Sequence, residues 1–177
     1  MNRRIAPFVL LAALFAVPAL AGTPATAAAT APTNVTVTYD HPEQFTETRK
    51  VRSLAPQLAD NDYLKVLKAY MENRAGKMLP PGERLDIVVT DIDRAGNFEP
   101  WRRGTLREVR IIKDIYPPRI DLRFRLLDAD GKTIREGTRK LRDPGFMSGS
   151  TSASSNDSLR YEKALIDRWL RKGPDQL

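Results

Sequence analysis

Cysteine is absent from the 177 residues, and histidine occurs once, at position 41. Without thiols the chain has no disulfides, thiolate zinc site, iron–sulfur cluster or cysteine nucleophile. One imidazole leaves nitrogen-rich metal sites without ligands. No cofactor or metal is therefore expected. A serine mechanism lacks its parts as well. Residues 148–155 offer hydroxyls but no Gly-x-Ser-x-Gly elbow, and His41, before Pro42 at the end of a strand pattern, has the place of a turn residue rather than of a general base.

What is present begins with an export pattern. Arg3 and Arg4 precede an apolar run from Ile5 to Val17, and Pro18, Ala19, Leu20 and Ala21 form a small-x-small site, so residues 1–21 read as a cleavable secretory signal. The run is shorter than the roughly 20 apolar residues of a membrane span, and no cysteine follows it to carry a lipid. A periplasmic or secreted location is expected, with no transmembrane segment after cleavage. Residues 22–33 hold five Ala, four Thr, two Pro and one Gly, too little apolar surface to order a backbone, and read as a flexible leader. Residues 34–173 are expected to form one domain, a length that buries an ordinary core, with a Ser-rich loop at 147–158 and a tail at 174–177.

Hydrophobic periodicity supplies the elements. Val35, Val37 and Tyr39 alternate with Thr36 and Thr38 as in a half-buried strand. Asp60 and Asn61 are placed to cap a helix whose stripe is Leu64, Leu67, Met71, Ala75 and Met78, stopped by Pro80, Pro81 and Gly82. Residues 85–92 are rich in β-branched side chains. Residues 93–107 have no period and read as a long loop with Phe98 and Trp101 as anchors, followed by a short strand at 109–112. Ile120, Leu122, Phe124 and Leu126 alternate with charged residues, and the turn at 128–131 returns the chain along 132–140 as a β-hairpin. A last helix carries Leu159, Leu165, Ile166, Trp169 and Leu170 and ends at Gly173 and Pro174. The order predicts an α+β two-layer sandwich: a four- to five-stranded mixed or antiparallel sheet, two helices on one face and solvent on the other.

Charge is unevenly distributed. Removing residues 1–21 leaves 27 basic and 22 acidic side chains, a net charge of +5, and all of that excess lies between positions 101 and 125. There Arg102, Arg103, Arg107, Arg110, Lys113, Arg119, Arg123 and Arg125 face only Glu108, Asp114 and Asp121. Such a stripe, with Trp101 beside it, suits an anionic partner, while cross-strand pairing on a solvated sheet face is the structural alternative. The hairpin register separates the two. A two-residue turn sets Arg125 opposite Glu136 and Asp121 opposite Lys140. A three-residue loop with Gly131 in the left-handed region sets Arg125 opposite Arg135. Nucleic acid is not expected, because no recognition motif accompanies the charge. Asp91, Asp93 and Glu99 form the densest acidic group and the basis of an alternative, a periplasmic hydrolase. An EF-hand alignment there fails, with Ala95 and Arg102 where ligands belong.

The segments at 35–39 (VTVTY), 79–82 (LPPG), 90–93 (TDID) with Gly96, 98–101 (FEPW), 110–122 (RIIKDIYPPRIDL), 128–131 (DADG), 140–143 (KLRD) and 159–164 (LRYEKA) together resemble a family of small exported proteobacterial proteins catalogued as domain of unknown function 3016. The resemblance implies an envelope or secreted location and shared motifs around 91–101 and 110–121, and it carries no activity with it. At the level of fold alone, the strand and helix order is similar to small modules of envelope assembly proteins. The reading is thus a non-enzymatic envelope module that holds a partner protein or an anionic envelope component, with Trp101, Arg102, Arg103, Arg110, Arg119, Arg123 and Arg125 as contacts.

Overall fold

The computed structural model describes residues 34–56, 62–148 and 156–177. The signal at 1–21, the leader at 22–33, the cap at Asp60 and Asn61 and most of the Ser-rich loop lie outside the described residues. Strands β1 (Val35–Tyr39), β2 (Arg84–Asp93), β5 (Arg119–Leu127) and β6 (Thr133–Arg142) form one sheet in the order β1-β2-β5-β6. β1 runs parallel to β2, and the other two pairings are antiparallel. A parallel pair needs a long crossover, and helices α1 (Thr46–Leu54) and α2 (Asp62–Gly76) lie in that connection. Strands β3 (Asn97–Phe98) and β4 (Arg110–Ile111) pair separately, and helix α3 (Arg160–Leu170) closes the chain order. The expected α+β sandwich with a mixed four-stranded sheet is present. No helix among the described residues is long and apolar enough to cross a membrane.

One face of the sheet carries the core. Val35, Val37, Leu85, Ile87, Val89, Ile92, Ile120, Leu122, Phe124 and Leu126 are buried against Leu64, Leu67 and Met71 of α2 and Leu165, Ile166 and Trp169 of α3. Each such side chain contributes about 1.5–3 kcal/mol on burial, which makes good the missing disulfides. Trp169 meets Phe124 edge-on with centroids 6.2 Å apart. Leu177 is also fully buried in this core. The last residues, expected as a tail, instead make a 3-10 turn at Pro174–Gln176 that returns Leu177 to the sheet.

Two bulges keep this face apolar. In β2, Val89 pairs with Leu122 but Asp91 with Asp121, so Thr90 is an extra residue and Ile92 rather than Asp91 continues the buried row. In the hairpin, Asp128 N–H donates to Lys132 O and Gly131 sits at φ 82°, the three-residue loop with a left-handed glycine. Leu127 then pairs with Thr133 but Leu126 with Arg135, which leaves Ile134 unpaired and sets Arg125 opposite Glu136. The turn therefore follows its local Asp-Gly chemistry, the strands follow charge complementarity, and a bulge at Ile134 reconciles them. Gly137 faces Phe124, where a Cβ would stand 3.2 Å from the ring.

Among the described residues the expected two helices are corrected to three, α1, α2 and α3. Helix α1 went unread because its one fully buried residue is Glu47 rather than an apolar side chain, and because its first turn is capped from afar. Asp91 accepts from the Thr46 N–H at 2.6 Å and from its hydroxyl at 2.7 Å.

Deleting Ile134 should leave every pairing from Leu126 onward in place. Its melting temperature should stay within about 4 °C of the parent, roughly 1 kcal/mol, whereas deleting Thr138 should cost several times more. Thermal melts of the two variants check this.

Candidate functional site

The turn that joins β2 to β3 is where Glu47 and Glu162 meet. Among the described residues five carboxylates are buried: Glu47, Asp93, Glu99, Asp143 and Glu162. A carboxylate out of water needs a cation or N–H donors, and each of the first three has a cation. Asp93 accepts from Lys50 of α1 and from Arg119 of β5, both at 2.6 Å. Glu99 is engaged by Arg102 at 2.5 Å, by Lys113, and by the Tyr116 hydroxyl at 3.3 Å. Glu47 pairs with Arg110 and also accepts from the Arg94 N–H at 3.3 Å. Glu162, from α3, accepts from the Ala95 N–H at 2.7 Å, and its second oxygen has no partner among the described residues. Asp143 is held by Arg168 in a fork of 2.9 and 2.7 Å.

Burial and electrostatics push these groups apart. Loss of water raises the Glu162 carboxyl above its ordinary range, against the smaller pull of the Ala95 N–H and of Arg94. Lys113, and after it Arg102, hold the Glu99 carboxyl below the usual range.

Asp91, Asp93 and Glu99 therefore do not converge. Asp91 serves the start of α1, Asp93 joins α1 to β5, and Glu99 anchors a loop. Among the described residues no three His, Cys, Asp or Glu side chains are grouped to hold a metal ion. Asp91, Asp93 and Glu99 thus offer no acid and base pair for one substrate atom. His41 is exposed, left-handed at φ 55°, and contacts Asp40 at 2.7 Å.

The arginines between positions 102 and 125 divide by partner. Arg119, Arg123 and Arg125 project from the outer face of β5, since their neighbours Ile120, Leu122 and Phe124 point into the core. All three are answered there, by Asp93, by Asp40 at 2.9 Å and by Asp86 at 3.6 Å. A shallow groove of about 290 Å³ lies on this face beside Asp86, Arg123, Arg125 and Glu136. Arg110 is turned inward. Besides Glu47 it covers the Phe98 ring at 4.8 Å and stays 18 % exposed, so its guanidinium is structural.

The rest belong to one loop. β3 and β4 pair Asn97 with Ile111 and Phe98 with Arg110, so residues 99–109 close a hairpin whose base is Phe98, 2 % exposed. Phe98 is the anchor of this segment. Trp101, expected beside it as a second anchor, is instead 70 % exposed. Leu106 and Val109 are exposed on the same loop, and Ile115 just beyond it. Arg102 is spent on Glu99, while Arg103 and Arg107 are exposed and form no ion pair among the described residues.

Sequence reasoning missed Glu47, Glu162 and Asp143. Glu162 stands three, four and seven residues before Leu165, Ile166 and Trp169, on the apolar stripe of α3. A glutamate on that stripe was the available signal. Glu47 has only the weaker spacing to Val51 and Leu54.

Fold and site together define a small two-layer α+β domain with an open, charge-paired sheet face and one anchored loop of mixed apolar and basic character. The chain belongs to the family described as "Protein of unknown function (DUF3016)", whose model matches residues 33–172. No curated protein and no solved structure matches it.

Two substitutions test the site's electrostatics. The depressed Glu99 carboxyl contributes stability above the unfolded value near 4.3, lost as pH falls through the lower folded value. Glu99→Gln should therefore melt below the parent at pH 7, with the gap closing below about pH 4. Glu162 has the opposite sign. Its raised carboxyl favours folding in full below the unfolded value near 4.3, and that contribution is lost as pH rises toward the folded value, so Glu162→Gln should match the parent near pH 4 and melt above it at about pH 8. Melting curves across pH read both.

Proposed function

We propose that this chain is a non-enzymatic binding module of the bacterial cell envelope, and that its working surface is the loop at 99–109 rather than the sheet face. The observation that carries the reading is the combination on one loop: Trp101, Leu106 and Val109 are exposed, as are Arg103 and Arg107, and the loop is tied down at Glu99. An aromatic with aliphatic neighbours and uncommitted guanidiniums is the side-chain set that seats at an anionic lipid boundary, with about 1 kcal/mol per basic residue near such a surface. Anchoring by Lys113, Arg102 and Tyr116 limits the conformational freedom lost on docking. The arginines of β5 supply a weaker, secondary field, because each already has a carboxylate. An envelope location is the expectation from residues 1–21.

Vesicles of phosphatidylglycerol and phosphatidylcholine are the direct probe. Trp101 emission should shift to the blue with anionic vesicles at about 50 mM salt and return at about 500 mM, where screening shortens to a few ångströms. Trp101→Ala, or Arg103→Gln with Arg107→Gln, should weaken binding at least fivefold. Equal binding to purely zwitterionic vesicles, or none to either, would overturn the proposal and favour a protein partner.

A further inference from the structure

A second surface, away from that loop, has the features of a peptide site. β6 is an outer strand of the sheet, ten residues long, and among the described residues no strand pairs with its far edge. Such an edge is a template for another strand. A groove of about 240 Å³ runs between β6 and α3, and four successive residues of β6, positions 139 to 142, line it. Successive side chains of a strand point to opposite faces, so a cavity that all four line opens along the edge itself.

The groove's chemistry selects its occupant. Arg139, Lys140, Arg142, Arg168 and Lys172 line it, and no carboxylate does. Arg142 and Arg168 are paired with Asp121 and Asp143, and Arg139 donates to the main-chain oxygen of Leu177. Lys140 and Lys172 are exposed and have no ion pair among the described residues. The floor is apolar, made by Leu141, Leu165 and Trp169. Trp169 is 4 % exposed, yet its indole N–H finds no acceptor among the described residues. Buried donors of that kind are uncommon in folded proteins and call for a specific account.

We infer that β6 takes up an extended acidic peptide as a fifth strand. The peptide's main chain would pair with the β6 edge, alternate side chains would enter the groove, and a carboxylate would reach Lys140, Lys172 or the Trp169 N–H. About 240 Å³ is below the usual size of a small-molecule pocket and accommodates the side chains of one segment. Of the segments outside the described residues, 1–33 and 149–155 contain no acidic side chain and 57–61 only Asp60, so a run of complementary charge comes from a partner chain.

The test uses the full chain and a synthetic nonapeptide in which Glu alternates with Val and Thr, followed by the two indole N–H resonances in nitrogen-15 spectra. Trp101→Phe assigns them. The Trp169 resonance should shift on titration while that of Trp101 stays, and Lys140→Glu with Lys172→Glu should weaken binding at least tenfold while leaving the dichroism spectrum and melting curve intact. Replacing two alternate peptide residues with proline should abolish binding, because it removes main-chain donors without changing charge. Equal binding by the proline peptide, or by an oligonucleotide of equal charge, would overturn strand addition. So would a titration that moves neither indole.

Discussion

Everything beyond the central sheet hangs on carboxylates placed where water is not. The turn after β2 exposes the N–H groups of Arg94 and Ala95 to the interior. Glu47 from α1 and Glu162 from α3 supply their acceptors, and Arg110 from β4 closes over Glu47. Three elements distant in sequence are thereby joined at one point. A buried pair of this kind adds little net stability compared with an apolar equivalent, yet removing one partner strands the other. Its structural value is specificity: the apolar layer would tolerate small rotations of the helices, whereas a carboxylate aimed at one N–H does not.

The outer face follows a different rule. There charges are exposed, individual pairs are weak, and organisation comes from the sheet ladder. The bulges at Thr90 and Ile134 each spend one residue to keep the apolar row and the charge rows in phase. The result is a face rich in arginine but locally neutral, in contrast to the 99–109 loop and the groove beside β6, where Arg103, Arg107, Lys140 and Lys172 form no ion pair among the described residues. Net charge along the sequence was therefore a poor map of free charge in the fold.

What could be read in advance was whatever depends on local pattern. The alternation in β1 and β5, the stripe of α2 and the stop at Gly173 follow from side-chain periodicity and turn chemistry, and the two-layer architecture follows from those. The hairpin defied a choice between registers because both were correct in part, the loop by its glycine and the strands by Arg125 and Glu136. Helix α1 and the site residues Glu47 and Glu162 depend on partners about 45 to 65 positions away, such as Asp91 and Ala95. Periodicity carries no information about such pairs, and of them only Glu162, seated on an apolar stripe, left a trace.

The anchoring at the β2 turn also bears on how such a chain drifts over generations. A glutamate that must span from a helix to one specific amide is fixed in length, so aspartate is no substitute at position 47 or 162. Because Glu47 and Arg110 neutralise one another in the interior, either is replaced safely only together with its counterpart. Change at these two positions then proceeds by paired steps, whereas Arg103 and Arg107, which form no ion pair among the described residues, are bound by no such reciprocity.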